Sequence, residues 1–161
     1  MLRAYEDGDH EAIAEIYSRA VHEIASKDYS DEQCQAWAPR IPAVDHWKSC
    51  CERKRPIVAV LDSHVAGFLE LDDDGHIDCA YVNPDYQRRR IMTQLVAHAV
   101  RICFEQELPR VYVEASICAR PLFEKLGFRV VQDNPVEING VGLQNFLMDL
   151  RNPGQEARSA G

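Results

Sequence analysis

The sequence lacks a long apolar stretch. No run reaches the roughly 18 residues that a membrane-spanning helix needs, and Met1 to Asp7 lack the apolar core of a signal peptide. Cysteine occurs six times, but no two cysteines form a Cys-x-x-Cys pair and no metal-ligand spacing is visible. We therefore predict reduced thiols, a cytoplasmic location, no membrane partner and no metal.

Basic residues are also scarce. The chain has 18 Lys and Arg against 26 Asp and Glu, which gives a formal net charge of −8. Nucleic-acid binding needs a broad basic surface, so this balance argues against a nucleic-acid partner. An acidic protein attracts cationic molecules, which agrees weakly with an amine-bearing substrate.

The apolar periodicity predicts one mixed α/β domain. Alternating and helical patterns follow one another in the order β, α, α, α, β, β, β, α, β, α, β, β. This order predicts a central mixed sheet of about seven strands with helices on both faces, formed by residues 1–150. Residues 151–161 have little apolar content, and we expect a disordered tail there.

The most informative stretch joins a strand to a helix. His76 to Val82 is a short apolar strand, Asn83-Pro84-Asp85 ends it, and helical periodicity begins at Ile91. The first amides of a helix have no internal partner, so such a loop binds anions, above all phosphates. Three consecutive arginines, Arg88 to Arg90, lie where acidic residues are preferred. They either meet a bound polyanion or point into solvent.

Two motifs resemble the GNAT (Gcn5-related) N-acetyltransferases. The first is Val82-Asn83-Pro84-Asp85-Tyr86-Gln87 with the helix after it, and the second runs from Ala119 to Phe128. Tyr29-Ser30 to Trp37-Ala38 and Glu114 to Ile117 look closest to the small bacterial YafP-like branch. The resemblance covers about residues 2–150.

The resemblance implies acetyl-CoA as the donor and an amine as the acceptor. It places the pyrophosphate on the amides of Gln87 to Met92, and the pantetheine arm between the strands ending near Val82 and Ser116, which splay apart. The amide of Val82 would hold the thioester carbonyl. The residues expected to bind acetyl-CoA are Tyr81, Val82, Gln87, Arg88, Arg89, Arg90, Ile91, Met92, Thr93, Ser116 and Phe123.

The chain departs from the family pattern at three positions. Arg90 and Met92 occupy positions where the family has small residues, which let phosphate approach the backbone and free φ. Phe123 stands where many members have a tyrosine that protonates the leaving thiolate. A thiol has a pKa near 8–9, so departure as thiolate, or with a proton from water, is an alternative.

An ammonium acceptor must lose a proton before it attacks, so a base is needed. Asp78 is the first candidate, because burying an acidic residue in an apolar strand is costly and its presence there suggests a function. His76 lies two residues before it, on the same face of the strand, and Glu70 on the neighbouring strand is the third candidate. Glu114 can bind the acceptor amine or form a surface ion pair.

Three functions remain open at this point. The first is an acetyl-CoA-dependent N-acetyltransferase that transfers an acetyl group directly to a primary amine of a small molecule or protein. The second is a catalytically weak or inactive acyl-CoA-binding module, and the third is an interaction protein that kept only the fold. The sequence does not identify the acceptor, and both a monomer and a homodimer are compatible with it.

Overall fold

A computed structural model describes residues 1–161. The strands are β1 to β7, and they span Leu2–Ala4, Ile57–Leu61, His64–Leu71, His76–Val82, Arg110–Ser116, Arg129–Ile138 and Val141–Arg151. The α-helices are α1 to α6, and they span Asp9–Arg19, Asp31–Trp37, Val44–Lys54, Ile91–Glu105, Arg120–Lys125 and Pro153–Ser159. None of these helices is long and apolar enough to cross a membrane.

The seven strands form one sheet in the order β1-β2-β3-β4-β5-β7-β6, and all neighbours are antiparallel except β4 and β5. Two apolar layers cover it. The larger layer places α4 and α5 on the sheet through Leu95, Val96, Ala99 and Phe123. The layer on α1 and α3 includes Ile13, Ile16, Trp47, Val58 and Phe68. The predicted mixed sheet with helices on both faces is confirmed.

The parallel strands β4 and β5 separate soon after they meet. Only two residue pairs join them, His76 with Tyr112 and Ile77 with Val113. Beyond Ile77 the backbone groups on this side of β4 have no strand beside them. The two strands therefore open into a gap towards Val82, as the resemblance implied.

Gly67 on β3 sets how closely α4 approaches the sheet. A Cβ at this position would lie 3.0 Å from the Tyr81 carbonyl oxygen and 3.1 Å from the Ile91 side chain. Such contacts are tighter than ordinary van der Waals packing. The missing side chain therefore lets the first turn of α4 lie directly against β3 and beside the gap.

The C-terminal segment corrects one prediction. Residues 151–161 were expected to be disordered, but Arg151 ends β7 and α6 follows. Asn152 begins this helix, accepting a hydrogen bond from the Gly154 amide and donating one to the Leu108 carbonyl. The prediction relied on the low apolar content of this segment, whereas polar contacts hold the helix in place.

The helix starts differ in how they are capped. Ser30 and Gln33 have the spacing of a capping box, and both reciprocal hydrogen bonds form at the start of α2. Asp9 is the first residue of α1 and follows Gly8. A turn follows β5, and α5 begins only at Arg120. The Ser116 hydroxyl accepts from the Ala119 amide in the intervening turn.

Candidate active site

The loop before α4 presents a row of unpaired backbone donors. The amides of residues 87–93 donate to no acceptor within the protein. Arg88 and Arg90 adopt left-handed backbone conformations, with φ of 62° and 60°. A left-handed conformation costs a non-glycine residue about 1–2 kcal/mol, so Arg90 is strained at the position where the family has glycine. The loop and the positive end of α4 together form an anion site.

A cleft of about 600 Å³ lies between this loop and the gap separating β4 from β5. We call it the splay cleft. Its walls come from β4, the loop, the start of α4, the turn before α5, and the segment after α1, as follows: Ala20, Ile24, Ala25, Lys27, Trp37, Ala80, Tyr81, Val82, Tyr86, Gln87, Arg88, Arg90, Ile91, Met92, Thr93, Ser116, Cys118, Ala119, Leu122 and Lys125.

The segment after α1 is irregular where it borders the splay cleft. Ala20–Ile24 is a π-helix, and Ala25–Lys27 is a 3₁₀ turn. A π-helical insertion changes which side chains a helix presents and is frequent at functional sites. Here the irregular turns bring small apolar residues and the Lys27 ammonium to the wall of the splay cleft.

Four cations line the splay cleft without an acidic partner. They are Lys27, Arg88, Arg90 and Lys125, and none of them forms an ion pair. The chain as a whole has a net charge of −8, so this unpaired cluster has the opposite sign to the rest of the protein. It matches a ligand that carries several negative charges.

The amide of Val82 points into the gap between β4 and β5. On the other edge of β4, the Asn83 amide donates to the Ala66 carbonyl at 2.8 Å, and Val82 pairs with Gly67. Hydrogen-bonded and non-hydrogen-bonded pairs alternate along antiparallel strands. Val82 is thus in a non-hydrogen-bonded pair, and its N–H faces away from β3, where it is free to donate to a bound carbonyl.

A second cavity of about 310 Å³ lies on the α1 and α3 side of the sheet. We call it the acidic cavity. Its floor comes from β3 and β4, and its walls from α1, α3 and the segment that joins α2 to α3. The lining residues are Tyr17, Trp37, Pro39, Ala43, His46, Trp47, Cys50, Arg53, Lys54, Glu70, Asp78 and Cys79.

One aromatic pair separates the two cavities. Trp37 lines both, and its indole N–H donates to the Tyr81 hydroxyl at 3.2 Å. The Tyr81 ring meets Tyr17 edge to face at 5.0 Å. The indole bond is the one hydrogen bond that the Tyr81 hydroxyl makes, so its own hydrogen is uncommitted. Burial raises the pKa of Tyr81 and keeps the phenol protonated.

Glu70 is the unusual residue of the acidic cavity. It is 3% exposed, and its Oε1 has no hydrogen-bond partner. Burial raises the pKa of this carboxyl, and the charge of Asp78 raises it further. Carboxylate oxygens of Glu70 and Asp78 and the Cys79 thiol lie within 4.8 Å of one another. An unpaired buried carboxyl with a raised pKa is a typical acid–base group.

A bulge brings Asp78 beside Glu70. Glu70 pairs with Cys79 and Leu71 with Ile77, so Asp78 is the extra residue on β4. Asp78 already has a partner, because the Lys54 ammonium donates to it at 3.1 Å and also binds Asp72. The Asp78 side chain is 40% exposed. It is an ion-paired, solvated group, in contrast to Glu70.

His76 lies outside both cavities. Its ring stacks on Tyr112 with centroids 4.7 Å apart and hydrogen-bonds to both Glu114 and Asp72. Burial lowers the pKa of His76, but the bonds to Glu114 and Asp72 outweigh this effect, and its pKa is raised. The His76 ring therefore links β4 to β5 at the base of the splay, and Glu114 is committed to it.

The splay cleft contains nine of the eleven residues expected to bind acetyl-CoA. The other two point elsewhere. Arg89 lies over the Tyr86 ring at 5.4 Å and faces Asp62. Phe123 is buried against Phe128, with ring centroids 5.1 Å apart. The substitution of tyrosine by phenylalanine at position 123 therefore falls in the core and outside the cleft.

Several lining residues escaped the sequence analysis. Lys27 belongs to no motif, and Lys125, although it lies within the motif from Ala119 to Phe128, was not among the residues expected to bind acetyl-CoA. Arg53 joins His46 and Cys50 on one face of α3 at spacings of four and three residues, which helical periodicity places together. That spacing was a usable signal. The aromatic residues Trp37, His46 and Trp47 also line the acidic cavity.

Comparison with known proteins agrees with this architecture. Residues 25–150 match the acetyltransferase (GNAT) domain family. An uncharacterized N-acetyltransferase of Escherichia coli K12, YafP, is 34% identical over 149 residues, which is 91% of this chain and 93% of YafP. The chain belongs to the GNAT acetyltransferase family.

Solved structures show the same fold. A GCN5-related N-acetyltransferase from Rhodopseudomonas palustris superposes with a TM-score of 0.87 at 30% identity, over 94% of each chain. The PaiA N-acetyltransferase from Thermoplasma acidophilum, solved with coenzyme A, has a TM-score of 0.73 at 18% identity and covers 94% of this chain and 98% of its own.

Proposed function

We propose that this protein is an N-acetyltransferase that uses acetyl-CoA to acetylate a primary amine by direct transfer. The observation that carries the proposal is the shared wall of the two cavities. The splay cleft ends in unpaired amides and cations suited to a polyanion, and the acidic cavity behind Trp37 holds an unpaired carboxyl. An anionic donor and a cationic acceptor can thus meet at one point.

The splay cleft fits the donor by its chemistry. The amides of residues 87–93 and the guanidinium groups of Arg88 and Arg90 receive the pyrophosphate. The pantetheine arm follows the gap between β4 and β5, and the Val82 amide donates to the thioester carbonyl. The structural relative from Thermoplasma acidophilum, whose structure contains coenzyme A, supports this assignment.

Glu70 is the proposed general base. Asp78 ranked first by sequence, but it is bound to Lys54, and His76 is held between two carboxylates away from both cavities. Glu70 lines the acidic cavity and has one buried, unpaired oxygen, and its raised pKa makes it a stronger base than an ordinary glutamate. Its first function is to bind the ammonium, and its second is to accept the proton.

Acetyl-CoA supplies the activated acetyl group. Glu70 takes a proton from the ammonium, and the freed nitrogen lone pair forms the bond to the carbonyl carbon as the carbon–sulfur bond breaks. The sulfur leaves with the bonding electrons and receives one proton. The nitrogen, left positively charged with two protons, releases one of them as the neutral amide forms, and this proton replaces the one given to the sulfur. We propose that the uncommitted Tyr81 hydroxyl donates towards that sulfur and replaces the tyrosine missing at position 123.

The test is a calorimetric titration with acetyl-CoA at low and moderate salt, followed by an assay of amine-dependent thiol release. We expect a Kd in the micromolar range that weakens with salt, and turnover that depends on the amine. Tight binding without turnover of any amine would instead assign a non-catalytic acyl-CoA-binding module. No binding at millimolar acetyl-CoA would overturn the proposal.

A further inference from the structure

The walls of the acidic cavity hold a second charge besides Glu70. Arg53 lines the cavity from the last turn of α3, and its guanidinium has no carboxylate partner. Its side chain makes one weak hydrogen bond, from Nη2 to the Cys50 sulfur at 3.8 Å. The neighbouring cation, Lys54, is neutralised by Asp72 and Asp78. The cavity therefore offers one free anion and one free cation.

The positions of these two charges differ. Glu70 lies in β3 at the floor, with 3% exposure, whereas Arg53 lies in α3 and is exposed to solvent at the edge of the cavity. The walls of the same cavity include the aromatic residues Tyr17, Trp37 and Trp47. A ligand that enters with its cation first meets aromatic faces and then Glu70. Its outer end remains beside Arg53.

The volume of the cavity limits the size of the acceptor. Small-molecule sites usually measure about 300–1,000 Å³, and the acidic cavity, at about 310 Å³, lies at the lower limit. A compact molecule fits this space, with its amine and its second polar group only a short chain apart.

We propose that the acceptor is a small primary amine that carries a carboxylate, in the manner of an amino acid. This inference rests on the proposed function. The ammonium pairs with Glu70, and the carboxylate forms a bidentate pair with Arg53. The acceptor and acetyl-CoA give the N-acetylated acid and free coenzyme A, and the carboxylate takes no part in the bond changes.

A divalent cation is the competing occupant of this site. Glu70, Asp78 and Cys79 offer three ligand atoms within 4.8 Å of one another. The Lys54 ammonium, however, already donates to Asp78 at 3.1 Å, so a metal ion would have to displace it to gain Asp78 as a ligand. The ammonium of a substrate needs only the free oxygen of Glu70, so the observations favour the amine.

The experiment compares matched amines with and without the carboxylate: L-leucine with 3-methylbutylamine, and L-phenylalanine with 2-phenylethylamine. We expect kcat/KM to be about 10- to 100-fold higher for the preferred amino acid than for its decarboxylated partner. Arg53→Gln should reduce this ratio to about one. Lys48→Gln removes the same charge from an exposed position on α3 outside the cavity and should leave the ratio unchanged.

The outcomes separate the two proposals. Equal rates for both members of each pair, with acetyl-CoA binding intact, would overturn the carboxylate assignment and leave the acetyltransferase standing. Turnover that is abolished by EDTA and restored by Zn²⁺ would place a metal at Glu70 and would also overturn the carboxylate assignment. Absent acetyl-CoA binding would instead contradict the proposed function itself. A ratio that falls in Arg53→Gln and not in Lys48→Gln supports the inference.

Discussion

The splay cleft and the acidic cavity meet at Trp37, yet they are built from different parts of the chain. The splay cleft presents backbone amides from a single loop and from the edge of β4 where β5 has separated from it. The acidic cavity presents charged side chains, Glu70 on a strand and Arg53 on a helix. One site depends on chain geometry and the other on residue identity.

We propose that this difference separates binding of the donor, acetyl-CoA, from binding of the acceptor amine. Backbone donors survive most substitutions, so we expect the splay cleft to bind acetyl-CoA even with Arg90 and Met92 at positions where the family has small residues. A carboxyl in a cavity is lost with one substitution. We therefore expect changes in the acidic cavity to alter catalysis, and changes in the splay cleft to alter donor affinity.

The largest effect is expected for Glu70→Gln. Loss of the base should lower kcat about 100- to 10,000-fold while the Kd of acetyl-CoA stays the same. The control is Asp78→Asn, which removes a neighbouring carboxylate that is already paired with Lys54 and should cost much less. Steady-state kinetics and calorimetry on the same preparations measure both quantities. A larger loss in Asp78→Asn would transfer the role of base to Asp78.

Glu70→Gln should also stabilise the fold at neutral pH. Because the folded-state pKa of Glu70 lies above its unfolded value, ionisation of the buried carboxyl costs stability above that folded pKa. The amide removes this cost, and we expect a gain of about 1 kcal/mol at pH 7. The gain should disappear as the pH falls below the unfolded pKa. Thermal melts at pH 4 and pH 7 provide the measurement.

Arg90→Gly tests the splay cleft. Glycine removes the backbone strain of the left-handed conformation at position 90, but the substitution also removes a cation that lines the cleft. We expect the affinity for acetyl-CoA to fall about 5- to 10-fold at low salt and to depend less steeply on salt. Arg89→Gly is the matched control, since Arg89 lies in the same loop outside the cleft. If Arg90→Gly bound more tightly than wild type, Arg90 would be an obstacle to the donor.

Tyr81→Phe lies on the boundary between the two sites. We expect kcat to fall about 10-fold, because the leaving sulfur loses its proton donor. The Kd of acetyl-CoA should change little. Tyr29→Phe is the control: the Tyr29 hydroxyl bonds the Gln144 carbonyl and the Ile117 amide, so its loss lowers stability alone. Equal kcat in wild type and Tyr81→Phe would assign thiolate protonation to water.

The smallest effect is expected for His76→Gln. The folded-state pKa of His76 is raised, so its ion pairs stabilise the protein fully below the unfolded pKa, and this stability is lost as pH rises through the folded pKa. We expect the variant to lose no more than about 1 kcal/mol at pH 6, and less at pH 8.5. The control is His64→Gln, at the exposed first residue of β3, which should show no such trend in thermal melts.

Much of the splay cleft was predictable from sequence because its parts are contiguous. Asn83-Pro84 ends a strand, Ile91 begins a helix, and the loop between them must present free amides. The gap at Val82 followed from the family resemblance. Lys27 and Lys125 were not predictable, because only tertiary packing brings them to the cleft.

The acidic cavity was much less predictable. The sequence ranked Asp78 above Glu70, since both are acidic residues in apolar strands and their burial depends on neighbours far along the chain. The bulge at Asp78 and the reach of Lys54 decide which carboxyl stays unpaired. A bulge has no reliable local signal, so the difference between the two carboxylates emerges only from the fold.

The most direct test of the two-site account is a crystal structure with coenzyme A and L-leucine or L-phenylalanine bound together. We predict the diphosphate on the amides of residues 87–93, the sulfur beside Val82, and the amine nitrogen within hydrogen-bond distance of Glu70. An amine bound at Asp78 or His76, or coenzyme A bound away from the gap between β4 and β5, would contradict the account.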